Sequence, residues 1–303
     1  DPSRKFGSVL YDKIYTEEDS RFQNHLVGEN IINRVYSNNE NFTYHTNLFP
    51  EYKYLKKEEL GITKSLRDFP GLNNLWDKEY KLNDISRLNL RNLVHKKDEF
   101  LDLFHYPMRI NLKGRNIPGV AIQHHMAHAA SAFYNSKADQ SVILTHDGGF
   151  YKAGPLNGMI FWGDRNKIIP ILPNHLAIGD LYDKVGSFLG FDLFGAAGKL
   201  MGLAPYGKPT FFKREMVGNT YDWLSKGIKD PTKYWITKCL NQAKLRGYDL
   251  SPLGNTKKIL EPICVDIAAS TQKLFEETIL YTTECISDMF LNSKLNVDTL
   301  CYA

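Results

Sequence analysis

His124-His125-Met126-Ala127-His128-Ala129-Ala130-Ser131-Ala132-Phe133 and, past a turn, Ser141-Val142-Ile143-Leu144-Thr145-His146-Asp147-Gly148-Gly149 hold the densest chemistry of this chain. Ile117 to Ile122 is a β-branched run opened by a Pro-Gly turn, and Met126 to Tyr134 is rich in alanine, so a strand feeds a helix here. On that helix His124 and His128 are four residues apart and share a face, with Cβ atoms roughly 5–6 Å apart. Imidazole nitrogens at that spacing can grip one divalent ion. Val142 to Thr145 reads as a buried strand, and Asp147 leaves its end where a Gly-Gly turn begins, adding an oxygen to two nitrogens. The spacing alone is a weak signal in a chain with nine histidines, and His125 with His128 is a competing pair.

Working outward, Gly158 to Trp162 and Lys167 to Leu172 read as a hairpin turning through Gly163-Asp164-Arg165-Asn166. The Asp147-Gly148-Gly149 turn between strands either exposes N–H groups to a phosphate or is an ordinary tight turn. Gly179 to Phe191 has helical spacing and ends at Gly190. In Ala197 to Gly207, three glycines and a proline speak against a regular helix, while Leu200, Met201 and Leu203 argue that the stretch is buried. Lys199 within it is either a point charge for a phosphate or acyl oxygen, or a surface lysine. Phe211 to Leu253 mixes helix and loop around Trp223, Tyr234 and Trp235 as packing anchors. Pro262 opens the most regular helix, with Ile267, Thr271, Leu274, Thr278, Thr282, Ile286 and Met289 along one buried face. Gln272 and Glu276 lie one turn apart beside that face.

Before residue 116 the chain is long, polar and aromatic. Asp19 to Tyr36 and Leu82 to Phe104 have helical spacing, Lys53 to Leu60 is a solvated helical face, and Asn38 to Asn47 reads as a loop. His95 and His105 lack partners at ligand spacing and read as structural. Beyond Pro107 strands alternate with turns and helices, the pattern of an α/β architecture. The expected division is therefore a mainly helical region over 1–115 and the core over 116–303.

Composition limits the function classes. The 303 residues are 43% hydrophobic and 24% charged, as in a globular protein. No apolar run suits a membrane span and no secretory leader opens the chain, so a cytoplasmic setting is expected. A net charge of +4 argues against nucleic acid as a partner, and four widely spaced cysteines without a Cys-x-x-Cys read as reduced thiols. Walker, dinucleotide and serine-elbow motifs are missing. Both ends look unfinished: there is no initiating Met, and the strand Val297 to Tyr302 runs out at Ala303.

Taken together, the His124–Phe133 block, Thr145-His146-Asp147-Gly148-Gly149 and Gly198-Lys199-Leu200-Met201-Gly202-Leu203-Ala204-Pro205-Tyr206-Gly207 resemble the O-carbamoyltransferases of nodulation-factor and antibiotic biosynthesis. The long helix around Asp266 to Glu277 is similar as well. The resemblance implies an actin/Hsp70/sugar-kinase-like (ASKHA) fold of two βββαβα-type lobes, incomplete here at both ends. It implies carbamoyl transfer from carbamoyl adenylate, made from carbamoyl phosphate and ATP by a C-terminal adenylate-forming domain outside this chain, to a hydroxyl of a sugar or other natural product. Metal ligands implied by the family fall on His124, His128 and Asp147, with a fourth expected beyond Ala303, and the mixed ligand set suits Fe2+, or else Mn2+. His125, His146 and Lys199 stand as candidate catalytic groups, and Gly148, Gly149, Gly198 and Gly202 as candidate cofactor contacts. Phe150 and Tyr151 depart from the family pattern, which often has an acidic residue there. Two other expectations are a relative that carbamoylates a macromolecule such as tRNA or a hydrogenase maturation protein, and a degenerate fragment without activity.

Overall fold

A central strand, β4 (Gln140–Leu144), organises the core because its residues are apolar on both faces: Val142, Ile143 and Leu144 are all buried. The computed structural model describes residues 42–43, 80–90, 105–112, 115–122, 124–148, 157–192, 195–295 and 297–303. The expectations for Asp19 to Tyr36, Lys53 to Leu60, His95, Gly149, Phe150 and Tyr151 lie outside them.

Ahead of β4, β1 (Phe42–Thr43), β2 (His105–Leu112) and β3 (Arg115–Ile122) form an antiparallel sheet in that order, and α1 (Leu82–Ile85) lies between β1 and β2 in sequence. This corrects two readings: Phe42–Thr43 pairs with Arg109 and Ile110 instead of lying in a loop, and Pro118-Gly119 sits inside β3 opposite Met108 and Arg109. His105, read as structural, opens β2. Of the expected helix over Leu82 to Phe104, Leu82–Ile85 is helical, the chain turns at Ser86-Arg87, Leu90 is helical again, and 91–104 lie outside the described residues.

Next come α2 (His124–Ser136), then β4, β5 (Met159–Asp164) and β6 (Lys167–Pro173). β4, β5 and β6 are successively antiparallel, and β7 (Leu300–Tyr302) returns parallel to β4, giving the order β6-β5-β4-β7. The hairpin turn is tighter than the sequence suggested: Asp164 pairs with Lys167, and Arg165 adopts φ 57°. Period-two alternation directs the two faces of this sheet to different helices. Val142, Leu144, Ile160 and Ile169 pack with Cys285, Ile286, Met289 and Phe290 of α7 (Pro262–Asn292), which closes this layer. On the opposite face a Cβ at Gly163 would lie 2.5 Å from the Phe133 ring, so the missing side chain is what lets α2 approach.

A second core joins α3 (Ile178–Phe188), α4 (Ala196–Leu203), α5 (Thr220–Ser225) and α6 (Pro231–Leu245) to the first half of α7. All seven residues assigned to the inner stripe of α7 are buried. Trp223 and Trp235 are fully enclosed, their indole N–H groups donating to the Met216 carbonyl (2.8 Å) and Thr271 Oγ1 (2.9 Å), so burial leaves neither donor without an acceptor. The Gly-Lys block is a correction. It forms α4 followed by a 3-10 turn over Ala204–Tyr206, because Ala196, Leu200 and Leu203 at helical spacing bury one face, and Pro205 falls past the helix where its absent N–H breaks nothing. Met201 (61% exposed) and Tyr206 (72%) project into solvent rather than the core.

Among the described residues no helix is long and apolar enough to cross a membrane, and Cys239, Cys264, Cys285 and Cys301 are buried free thiols. His175, in the loop from β6 to α3, is buried edge-on to Tyr221, and desolvation pushes its pKa down to about 4. It stays neutral in the folded chain while the unfolded chain takes up a proton below about 6.5, so folding stability falls as pH drops from 6.5 towards 4. Replacement by Gln is expected to flatten the acid limb of a stability-against-pH curve by up to one proton. An unchanged slope would show that His175 protonates without unfolding.

Candidate metal centre

Residues 124–136 form a helix because alanine-rich sequence costs little to order and because His125, Ala129 and Phe133, spaced by four, bury one stripe. His124 and His128 lie one position off that stripe and so point together beside it. Asp147 is held by its backbone. β4 continues irregularly through Thr145, whose N–H and carbonyl pair with Met159, and through His146 and Asp147, whose N–H groups donate to the Ala303 carbonyl (2.7 Å) and the Asn157 carbonyl (3.2 Å). Asn174 Nδ2 adds a bond to the Thr145 carbonyl (2.8 Å). The N-terminal end of α2 and the carboxyl end of β4 thereby meet.

His124 Nε2 is 2.7 Å from Asp147 Oδ2 and 3.1 Å from His128 Nε2, and one ligand atom from each residue lies within 4.8 Å of the others. Hydrogen bonds alone serve this arrangement poorly. His124 Nε2 carries at most one proton, which donated to Asp147 leaves no lone pair for His128, whereas the other tautomer turns a lone pair on a carboxylate. A cation between the three serves every lone pair at once. Ligands at right angles about 2.1 Å from an ion lie about 3 Å apart, close to both separations, so the residues present fit a divalent metal.

The electrostatics agree in sign. The His124 hydrogen bond, then the Gly148 N–H at 2.7 Å, hold the Asp147 carboxyl well below the usual carboxylate range against the opposing effect of burial. Desolvation, then His124, lowers the pKa of His128, which leaves it neutral and able to offer a lone pair.

The other candidate residues are distributed differently. His125 is fully buried, 5.2 Å from the His124 ring by centroid, and lies outside the three-residue ligand group, so the competing pair with His128 is not the one that converges. His146 sits beside the centre with its ring 5.9 Å from Phe275 and Nδ1 3.4 Å from Tyr302 Oη, and burial pushes its pKa down to about 4. Gly148 directs its N–H at Asp147 Oδ1, so that donor orients the carboxylate and does not form a phosphate cradle. Lys199 is exposed, its Nζ 5.6 Å above the Phe191 ring. Gly198 and Gly202 lie on α4 with open space where a Cβ would stand.

Two positioning residues escape sequence reading. A Cβ at Gly179 would come within 2.8 Å of the Gly148 carbonyl and 3.0 Å of that of Asp147, so α3 can start against the turn only with glycine there. Tyr302 reaches His146 from 156 residues away. Gly179 was legible only as a helix start, and no local signal marks Tyr302. Gln272 and Glu276 join a short chain in which Tyr182 Oη donates to Gln272 Oε1 (2.5 Å) and Gln272 Nε2 donates to Glu276 Oε1 (2.8 Å), tying α3 to α7.

Residues 8–303 match the family model described as Carbamoyltransferase N-terminus. The chain is 28% identical over 199 residues to the uncharacterized protein sll1178 of Synechocystis sp., covering 63% of this chain and 31% of that protein. It is 37% identical over 108 residues to the nodulation protein NolNO of Sinorhizobium fredii (35% of this chain, 15% of the relative). Against the nodulation protein NolO of Bradyrhizobium diazoefficiens it is 35% identical over 108 residues (35% and 19%). The matched part thus spans a third or less of each relative. With a family model covering nearly its whole length, the chain belongs to the carbamoyltransferase N-terminal family.

Proposed function

We propose that this chain is the metal- and nucleotide-binding part of an enzyme that transfers a carbamoyl group from carbamoyl adenylate to a hydroxyl of a small molecule. The acceptor oxygen bonds to the carbamoyl carbon, the bond to the adenylate phosphate breaks, AMP leaves, and the hydroxyl proton is released. Carbamoyl phosphate and ATP would supply the donor through an adenylate-forming domain elsewhere in the protein. The observation that carries the reading is the convergence of His124, His128 and Asp147, in a chain of this family. His124, His128 and Asp147 would hold a divalent ion, Fe2+ or Mn2+ by their ligand set, which when bound would supply Lewis-acid polarisation of a carbonyl or phosphate and lower the pKa of a hydroxyl.

The chain's own residues have separable parts. Asp147 and His128 remain in the ionised and neutral forms that ligate. His146, neutral at pH 7, can accept or donate a hydrogen bond beside the reacting group. The β4-β5-β6 meander, helical crossover and parallel β7 follow the βββαβ order of one ASKHA lobe, which supports that fold assignment. Gly198, Gly202 and Lys199 offer an open helix face to the adenylate, with a cation beside it.

The test incubates the full chain and its native continuation with carbamoyl phosphate, ATP and a panel of polyols. AMP formation matched by O-carbamoyl product is expected; carbamoyl groups appearing on tRNA or protein and on no alcohol would replace this reading. A second test uses Gly202→Ala. Since nothing lies within 4 Å of the added methyl, the helix gains about 0.5–1 kcal/mol of thermal stability. Affinity for the adenylate is expected to fall about tenfold, and an unchanged KM would remove α4 from the site.

A further inference from the structure

Between residues 199 and 258, Lys and Arg outnumber Asp and Glu three to one. The outer side of α6 concentrates part of that charge. An open cleft there is lined by Lys213, Lys238 and Arg246, with the carboxamides of Asn241 and Gln242, Leu245 and a single carboxylate, Glu215. Glu215 is already engaged: Lys238 Nζ lies 3.4 Å and Tyr234 Oη 3.4 Å from its Oε1, and Lys226 Nζ donates to its backbone carbonyl at 2.6 Å. Lys213 and Arg246 form no ion pair among the described residues, so the cleft retains an excess of positive charge. Tyr234 and Phe211 rings stand beside Lys238 and Arg246 (5.1 and 6.0 Å to the centroids), which limits where those long side chains point. The buried stripe of α6, Trp235, Cys239 and Ala243, faces the core, so the cleft opens on the other side of this helix.

We propose that this cleft is an anion site for a phosphate-bearing small molecule, separate from the metal centre and independent of the reaction proposed above. Cations from two segments with amide groups between them match phosphate oxyanions and an adjoining hydroxylated or heterocyclic body. Leu245, 87% exposed, supplies an apolar wall for that body. Three cations, one of them shared with Glu215, pair one or two phosphate groups. They fall short of the roughly 6–10 phosphate contacts of a nucleic-acid surface, so an extended polyanion is disfavoured.

The test measures tripolyphosphate and ATP binding to the full chain by titration calorimetry at about 0.1 M salt, against Lys213→Ala/Arg246→Ala and, as a control, His124→Ala. Tripolyphosphate affinity of this binding event is expected to fall at least about tenfold in the cleft variant, and the same event is expected to persist in His124→Ala, whatever binding at the metal centre that variant loses. ATP binding tighter than tripolyphosphate would mark a nucleotide as the source of the phosphate, and equal binding inorganic phosphate chemistry. Equal affinity of the wild type and the cleft variant, or no binding at millimolar anion, overturns the proposal. So does tighter binding of a single-stranded RNA of about 20 nucleotides with a salt slope above three released ions, which would make the face a nucleic-acid surface. Absence of carbamoyl transfer by the wild-type protein, with anion binding at the cleft intact, would instead refute the carbamoyltransferase reading alone.

Discussion

His124→Ala is expected to lower bound metal from about one ion per chain to near none and to reduce carbamoyl transfer at least about a thousandfold. Two effects compound. The central donor goes, since His124 Nε2 is the atom within reach of both His128 Nε2 and Asp147 Oδ2. The Asp147 carboxyl also loses the partner that contributes most to holding its pKa down. One ligand in three or four is worth several kcal/mol of metal affinity, and a lost Lewis acid a comparable amount of transition-state stabilisation. Elemental analysis beside a transfer assay checks both; His125→Ala, at the buried neighbour, should keep its metal. Wild-type metal content in both His124→Ala and His128→Ala would end the site assignment.

Gly207→Ala is expected to unfold or severely destabilise the chain, by about 3 kcal/mol or more, a fall in Tm of roughly 6–12 °C. The added Cβ would sit 2.1 Å from the Val265 carbonyl oxygen and 2.3 Å from its carbon, both backbone atoms of α7 that cannot swing aside. The segment cannot retreat either. Lys208 N and Thr210 Oγ1 donate to Asp266, Tyr248 Oη reaches the same carboxylate at 2.6 Å, and Phe211 N donates to Ser270 Oγ. Thermal unfolding decides it, and a Tm within 2 °C of wild type would show that the turn can slide along α7. The contrast with Gly202→Ala, five residues earlier and stabilising, makes the pair diagnostic of close approach as opposed to backbone entropy.

Local chemistry was readable where a period dominates. The α7 stripe, the β5–β6 hairpin and the helix carrying His124 and His128 all follow from spacing, because burial of one face is what selects a helix or strand over alternatives. Reading failed where packing overrides composition. Ala196 to Tyr206 looked broken by glycine and proline, yet three buried apolar side chains per two turns outweigh a cost of about 1 kcal/mol per glycine. Phe42–Thr43 looked like a loop because a two-residue strand exists only through its partner.

From its residues alone the chain determined which groups could ligate: two imidazoles four apart on an alanine-rich helix, and an aspartate at the end of an apolar strand. Tertiary structure decided that His128, and not His125, shares the point where they meet, since the buried stripe through Ala129 and Phe133 takes His125 inward against the sheet. It also set what no nearby residue encodes, the Ala303 carbonyl and Tyr302 beside His146 and the bare Gly179 under Asp147. Spacing along a chain fixes direction about one axis, whereas distance between two elements depends on every side chain packed between them.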